Sequence, residues 1–239
     1  MNPQAQRGFT LIELAIVLFI LTLLMAGVMT PLTQQLTEHQ IRRTQHSLEE
    51  MKAALLGYAL SHRDALQRPY LPCPDRREAA PADQANDGKE DRLPNGRCAV
   101  IVGNLPWISL GVSDADAWGN HFSYAVSPDY ANSSAGIAAH PAPAAILRVC
   151  LERTCRNPVT AAALLLSHGR NGLGALNAAG GRNLAASGAD ERQNSDADST
   201  FVSRAPAAAD RAGGEFDDLV VWLSPDYLIG RLCGYASAC

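Results

Sequence analysis

The stretch Gly8-Phe9-Thr10-Leu11-Ile12-Glu13 decides the fold, because it opens an apolar run that continues to Met29. As a helix, residues 9–29 would extend about 32 Å at ~1.5 Å per residue, which is enough to cross the core of a bilayer. Glu13 is an acid inside this run, where a charged side chain costs about 2.5 to 3.5 kcal/mol at mid-membrane. We therefore expect Glu13 to have a function and a partner of opposite charge.

The same stretch resembles the processing site of type IV prepilins and type II secretion pseudopilins. Those proteins have a short basic leader that ends in glycine, then phenylalanine, then an apolar helix with glutamate at its fifth mature position. Arg7, Gly8, Phe9 and Glu13 match these features in register. The resemblance implies cleavage between Gly8 and Phe9 by a prepilin peptidase, followed by N-methylation of Phe9. The new α-ammonium of Phe9 in a neighbouring copy would then pair with Glu13, because opposite charges offset each other's cost in low dielectric.

Export is also indicated by the composition of the chain. Six cysteines are more typical of an oxidising compartment than of the cytosol, and the net charge of −4 argues against nucleic-acid binding by a basic surface. The alternative interpretation of the N-terminus is an ordinary secretory signal that is cut near Ala26 or Gly27. The length of the apolar run and the presence of Glu13 both count against that alternative.

The chain divides into four parts by pattern: a leader at 1–8, a membrane-spanning or filament-core helix at 9–31, a second helical half at 32–62, and a periplasmic domain at 63–239. Pro31 removes one backbone donor and could kink the helix. The second half carries an apolar stripe at three- and four-residue spacing, which predicts a face packed on the domain. The stripe consists of Ile41, Leu48, Met51, Leu55, Tyr58 and His62.

The periplasmic domain reads as a sheet interrupted by irregular segments. Residues 63–104 are rich in Pro, Gly, Asp and Asn and predict a long loop, and residues 169–214 predict an irregular, mobile insertion. Turn-rich stretches separate the strand candidates, which favours an antiparallel sheet. The candidates are Cys98–Val102, Phe122–Val126, Ile146–Leu151, Ala162–Leu166 and Leu219–Leu223. The predicted class is therefore α+β and pilin-like, with a long N-terminal helix packed on an antiparallel sheet.

Spacing along the chain suggests three local disulfides, although six cysteines allow 15 pairings. The proposed pairs are Cys73–Cys98, Cys150–Cys155 and Cys233–Cys239. The first pair would restrict the long loop at 63–104, and the other two would brace a hairpin tip and the C-terminus.

Two motifs resemble features of major pseudopilins. Residues 116–120, Asp-Ala-Trp-Gly-Asn, are similar to a turn that precedes a strand, with Trp118 as an apolar anchor. Residues 167–172 resemble a calcium-binding loop, although Asn171 stands where that loop has an acid. The resemblance implies a calcium site formed by Ser167, Asn171, Asp217 and Asp218. The alternative is an ordinary turn beside a solvated acidic pair.

Catalytic motifs are not evident in the sequence, and we predict no enzyme activity. Ser167 and His168 are half of a catalytic pair by type, but adjacent residues on a strand point to opposite faces. No P-loop, H-E-x-x-H or C-x-x-C motif occurs, and Gly172 and Gly174 do not complete a dinucleotide fingerprint.

The resemblance implies a minor pilin or pseudopilin in a type IV pilus or a type II secretion pseudopilus. Its expected partners are prepilin peptidase, other pilin subunits, the inner-membrane assembly platform and membrane lipid, with no nucleic acid. Its expected location is the inner membrane, as a single-pass protein with a periplasmic C-terminal domain, and afterwards the filament. The alternative is a membrane-anchored periplasmic binding module that does not polymerise, for which Glu13 would have no use.

Overall fold

A computed structural model describes residues 10–78, 85–138, 141–152 and 154–233, with the backbone alone for residues 24–33. These parts of the chain contain four α-helices, seven strands and one short 3-10 helix at Pro128–Tyr130. The helices are α1 (Leu11–Ser61), α2 (Trp107–Leu110), α3 (Ala189–Ser195) and α4 (Pro225–Cys233). The strands are β1 (Val102–Asn104), β2 (Ser123–Val126), β3 (Leu147–Cys150), β4 (Val159–Ala161), β5 (Ala163–Ser167), β6 (Thr200–Val202) and β7 (Leu219–Leu223).

Helix α1 is continuous from Leu11 to Ser61, so the two predicted helical halves form one element. The chain separates into two compact units, residues 1–42 and residues 43–239. Within the parts of the chain that the structure describes, no helix has both the length and the apolar character needed to cross a membrane. The membrane span at residues 9–31 therefore stays a prediction.

In the second unit, α1 packs through one face that matches the predicted stripe. Leu48, Met51, Leu55 and Tyr58 are all buried, as the three- and four-residue spacing requires. Ile41 is only half-buried and His62 is exposed, so the prediction is wrong at both ends of the stripe, although the His62 ring stacks on Tyr58 with the centroids 3.8 Å apart. The prediction of a core face is confirmed for the residues between Leu48 and Tyr58.

The sheet behind α1 has four strands in the order β1-β2-β5-β7, and every neighbouring pair is antiparallel. Side chains alternate between its two faces. Tyr124 and Leu165 face the core shared with α1, whereas Leu164 and Leu166 face a second core. The second core lies under a three-stranded sheet with the order β4-β3-β6. The predicted antiparallel sheet is confirmed, and a second sheet is added to it.

Several strand predictions differ from the structure. The first candidate, Cys98–Val102, is wrong in its bounds, because pairing with β2 begins only at Val102. Strands β4 and β6 were not predicted, since three residues are too few for a recognisable alternation. In addition, β3 and β6 are parallel, which an expectation of one antiparallel sheet does not include.

The segment at 63–104 is fastened to α1 through the carboxylate of Glu90. Tyr58 Oη donates to Glu90 Oε1 at 2.7 Å, and the Cys73 amide donates to Glu90 Oε2 at 2.9 Å. Arg92 Nη2 donates to the same Oε2 at 2.8 Å. Burial and the Glu90 charge raise the pKa of Tyr58, so its hydroxyl keeps its proton and remains a donor. Side-chain hydrogen bonds therefore hold this segment to α1, in addition to the pairing of its last residues in β1 and to backbone bridges such as Asp75–Asn104.

The insertion at 169–214 contains α3 and β6, which corrects the expectation of a wholly irregular segment. Little apolar surface is available there, and polar side chains bond the backbone instead. The Val202 amide donates to Asn194 Oδ1 at 2.7 Å, and Asn194 Nδ2 donates to the Val202 carbonyl at 3.0 Å. Arg204 Nε donates to Asp190 Oδ2 at 2.6 Å. The composition of the segment did not predict α3 and β6, because a low apolar content says nothing about hydrogen bonds between polar side chains and the backbone.

The predicted turn at 116–120 forms around the Asp116 side chain. Asp116 Oδ1 accepts from the amides of Trp118 and Asn120, at 2.9 and 3.0 Å. Gly119 takes a left-handed conformation with φ of 82°, which glycine adopts without strain. Trp118 is only half-buried, and it is Phe122 that belongs to the core.

Two of the three predicted disulfides are present, Cys73–Cys98 and Cys150–Cys155. Cys233 is also disulfide-bonded, but its predicted partner, Cys239, lies outside the described residues. The pairing at the C-terminus therefore stays a prediction.

We predict that the two disulfides differ in their contribution to stability. Cys73–Cys98 links residues 25 apart and Cys150–Cys155 links residues 5 apart. Because a longer loop loses more entropy in the unfolded state, replacing the first pair by alanine should cost about 3.5 kcal/mol and replacing the second about 2 kcal/mol. Denaturant unfolding of the full-length chain measures both losses. Equal losses would contradict this account.

Candidate functional site

Three carboxylates meet at the edge of the four-stranded sheet where β7 begins. Glu191 comes from α3, and Asp217 and Asp218 directly precede β7. One carboxylate oxygen of each residue lies within 4.8 Å of the other two. Glu191 and Asp218 are buried and Asp217 is half-buried. We call these three residues the acidic cluster.

A glycine makes room for the acidic cluster. Gly169 has φ of 61°, and a Cβ built on it would lie 2.2 Å from Asp217 Oδ1. Any other residue at this position would therefore displace the aspartate. The Asn171 amide donates to Asp217 Oδ2 at 3.0 Å, so the turn that follows β5 wraps around this carboxylate.

Within the described chain, two carboxylate oxygen atoms of the acidic cluster have no hydrogen bond, although the others are bonded. Asn171 Nδ2 donates to both oxygens of Glu191, at 3.0 and 3.2 Å, and the Asp217 amide donates to Glu191 Oε1 at 3.0 Å. Asn194 Nδ2 donates to Asp218 Oδ2 at 2.7 Å. Among the described residues, Oδ1 of Asp217 and Oδ1 of Asp218 are buried without a hydrogen-bond partner. Such atoms carry a desolvation cost that a cation would offset.

The electrostatics of the acidic cluster also favour a cation. Burial, together with the negative charge of Glu191, raises the pKa of Asp217 to about 6. Burial raises the pKa of Asp218 well above its ordinary value, again with Glu191 and Asp217 adding to the shift. Burial raises the pKa of Glu191 as well. Carboxylate oxygens are hard ligands of the kind that calcium prefers, with carbonyl groups and water completing its six to eight positions.

The structure brings only some of the four predicted metal ligands into the acidic cluster. Asp217 and Asp218 lie in the acidic cluster, and Asn171 lies beside it with its amide nitrogen on Glu191. Ser167 Oγ instead donates to Asp116 Oδ2 at 2.7 Å. A ligand role for Ser167 or Asn171 stays a prediction. Glu191 was not among the predicted metal ligands. It lies in the insertion, far from Asp217 in the chain, and no sequence motif connects the two residues.

A chain of buried polar groups runs behind the acidic cluster. His168 Nε2 lies 3.0 Å from Ser123 Oγ, and His168 Nδ1 lies 4.0 Å from Asp218 Oδ1. Arg77 Nη2 donates to the same Ser123 hydroxyl. Burial and the Arg77 charge lower the pKa of His168 to about 3, so the ring is neutral.

These residue types are those of a serine hydrolase triad, but their environment argues against that chemistry. Ser123 is 3% exposed and His168 is fully buried, so a substrate could not reach the hydroxyl. The arrangement instead links Arg77, in the long loop, to His168 through Ser123, and His168 Nδ1 stays 4.0 Å from Asp218 Oδ1, too far for a hydrogen bond. Ser167 and His168 have different partners, in agreement with their predicted opposite directions.

At the other end of the described chain, Thr10 and Glu13 form a capping box at the start of α1. The Thr10 amide and hydroxyl donate to Glu13 Oε2 at 2.9 and 2.8 Å, and the Glu13 amide donates to Thr10 Oγ1 at 3.3 Å. This arrangement satisfies backbone donors that a helix terminus otherwise leaves unpaired. The T-x-x-E spacing was the signal for it. Gly8 and Phe9, the predicted processing residues, lie outside the described residues.

Comparison with known proteins bears on this N-terminus. The family model for the prokaryotic N-terminal methylation motif matches residues 3–29, which include Gly8, Phe9 and Glu13. Proteins with pilin-like motifs of this family are structural rather than enzymatic. No curated protein and no solved structure gives a match to the chain. Residues 3–29 thus carry the N-terminal methylation motif, which is the signature of type IV prepilin-like proteins.

Proposed function

We propose that this chain is a minor pilin or pseudopilin, assembled into a type IV pilus or a type II secretion pseudopilus. The observation that carries the proposal is the methylation motif at residues 3–29. A motif of this type implies processing by prepilin peptidase and assembly with other pilins. The long α1 helix, packed on an antiparallel sheet through its second half, is consistent with the same assignment.

Before assembly, residues 9–31 hold the chain in the inner membrane, with residues 63–239 in the periplasm. The disulfides Cys73–Cys98 and Cys150–Cys155 support this location, because such bonds persist in oxidising compartments. There the chain meets membrane lipid, the prepilin peptidase and the inner-membrane assembly platform. Its role is structural, without catalysis.

A minor role is favoured by the additions to the helix-backed sheet. The long loop at 63–104 and the second sheet, β4-β3-β6, enlarge the periplasmic part beyond a helix and one sheet. Such additions suit a subunit that is present in few copies, at a position where bulk does not interrupt packing. The alternative remains a membrane-anchored binding module that does not polymerise. Substitution of Glu13 can distinguish the two functions, because only a subunit that polymerises needs its charge. The test must also separate that charge from the hydrogen bonds that Glu13 makes in the capping box.

Cleavage supplies the first test of the proposal. Gly8→Val should leave the precursor uncut, because the residue before the cut is changed, whereas the wild-type chain should begin with N-methylated Phe9. Intact-mass measurement of the protein from membranes distinguishes the two species. An N-terminus near Gly27 would indicate an ordinary secretory signal and would contradict the proposal.

The second test compares two substitutions of Glu13. Glu13→Gln keeps a side-chain oxygen for the capping box but removes the charge, whereas Glu13→Leu removes both. If Glu13 pairs with the Phe9 ammonium of a neighbouring subunit, both variants should be cut normally, reach normal membrane levels and enter sheared filaments poorly. An unpaired ammonium buried in a filament costs several kcal/mol.

Comparison of the two variants shows whether Glu13 acts through its charge or through the capping box. Normal incorporation of Glu13→Gln, together with poor incorporation of Glu13→Leu, would show that Glu13 acts in its own helix. Normal incorporation of both variants would contradict a docking role of any kind.

We also propose that the acidic cluster of Glu191, Asp217 and Asp218 binds calcium. The observation that favours it is the pair of buried Oδ1 atoms on Asp217 and Asp218 that find no hydrogen-bond partner within the described chain. The space at Gly169, which a Cβ would fill, adds support because it lets Asp217 approach. The ion would take oxygen ligands from two segments that are distant in sequence.

Calcium should stabilise the folded chain by mass action. At a concentration of 100 Kd, the free energy of unfolding should rise by about 2.7 kcal/mol, and the melting temperature by about 5–10 °C. Asp218→Asn should abolish this response. It should also raise the melting temperature in chelator at neutral pH, because an acid whose pKa is raised by folding makes folding less favourable at every pH above its pKa in the unfolded chain.

The matched control is Asp210→Asn, an exposed acid of the same insertion. This variant should respond to calcium as the wild type does. An unchanged melting temperature between chelator and millimolar calcium in the wild type would contradict the site.

A further inference from the structure

Asp75 is an acid of the long loop, and its side chain lies completely buried beside β1. The Asp75 amide donates to the Asn104 carbonyl at 3.0 Å, and the Asn104 amide donates to the Asp75 carbonyl at 2.8 Å. The Gly88 amide donates to Asp75 Oδ2 at 2.9 Å. In the part of the chain that the structure describes, Oδ1 of this carboxyl is buried without a hydrogen-bond partner. An ionised Asp75 is therefore a buried charge with incomplete hydrogen bonding, which is costly.

The charges around Asp75 do not offset a negative charge there. Asp87 and Asp91 lie close enough to repel it. Arg76 and Lys89 supply positive charge, but each is paired with one of these two acids, at 3.0 Å for Arg76 with Asp91 and at 3.5 Å for Lys89 with Asp87. The neighbouring elements β1 and α2 contain no charged residue. Burial raises the pKa of Asp75 to about 7, and Asp87 and Asp91 add to the shift.

Gly88 connects the buried carboxyl to α2. Its carbonyl accepts from the Ile108 amide at 2.8 Å, and a Cβ built on Gly88 would overlap the ring of Trp107. Two residues further along, Glu90 accepts the hydrogen bond from α1. The segment 86–91 is thus held between Asp75, α2 and α1, and a change at Asp75 reaches all of these contacts.

We propose that the Asp75 carboxyl is a pH-sensitive latch, which holds residues 86–91 against β1 and α2 when it is protonated and loosens them when it is ionised. A neutral carboxyl avoids the cost of a buried charge. An ionised carboxyl gains free energy by reaching water and by moving away from Asp87 and Asp91. Opening of the latch would uncover the Trp107 ring under Gly88. This inference depends neither on the calcium site nor on assembly into a filament.

The direction of the pH dependence follows from the raised pKa of Asp75. In the open segment the carboxyl meets water and returns towards its ordinary pKa of 3.8, whereas in the closed segment its pKa is about 7. The closed form is therefore fully favoured below the lower value and loses its advantage as the pH rises to the higher one. Opening should become about tenfold more favourable for each pH unit between about 4 and 7, and should level off above that range.

Titration of the Asp75 carboxyl by carbon-13 NMR, on the full-length chain, provides the first test. The resonance that disappears in Asp75→Asn identifies the residue, and its midpoint in the wild type should lie near 7. Asp87→Asn should lower this midpoint, because one repelling charge is removed. The matched control, Asp210→Asn, changes an exposed acid of another segment and should leave the midpoint where it is.

Amide hydrogen exchange at Gly88 and Ile108 tests the opening itself, because these amides donate to Asp75 and to the Gly88 carbonyl. After division by the intrinsic exchange rate, their protection should fall about a hundredfold between about pH 5 and about pH 8. In Asp75→Asn their protection should be nearly the same at both pH values. A midpoint near 3.8, or protection that stays constant in the wild type or falls equally in Asp75→Asn, would overturn the latch.

Discussion

Strand β5 is buried on both faces, and that burial determines where every other part of the second unit lies. Leu165 faces the core built with α1, while Leu164 and Leu166 face the core under the second sheet. A strand covered in this way must have its neighbours on both edges, since unpaired backbone groups in its position would be costly. Strands β2 and β7 supply those neighbours. The turn after β5 and the residues before β7 are consequently brought together, which is how the Asn171 amide comes to donate to Asp217 of the acidic cluster.

The parts of the fold that were predictable are those with strong periodicity or covalent links. The stripe from Leu48 to Tyr58, the strand at Leu219–Leu223 and two local disulfides follow from spacing along the chain. Strand β4 did not, because three residues show no recognisable alternation, and β6 did not, because it is equally short and its partner β3 lies about 50 residues earlier. Glu191 was missed because it lies 26 residues from Asp217 in the chain. Its proximity to Asp217 depends on the path of the whole insertion, which polar side-chain contacts determine.

Glu13 and Asp218 are two acids in apolar surroundings that differ in the hydrogen bonds available to them. Glu13 is satisfied within its own helix by Thr10, which explains how an acid is accommodated at the start of an apolar helix before any partner is present. Asp218 has no such local solution, since one of its oxygens finds no donor within the described residues. Hydrogen bonds within α1 thus satisfy the Glu13 carboxylate, whereas one oxygen of the buried Asp218 carboxylate carries a desolvation cost.

Short outer strands limit how another chain could pair with the two sheets of this protein. Three of the four outer strands, β1, β4 and β6, contain three residues each, and the fourth, β7, contains five. An exposed edge of that length offers few backbone groups to another chain, so strand-to-strand pairing between copies gains little. Strands β1, β4 and β6 are therefore poor templates for a second chain, and β7 is the longest of the outer strands.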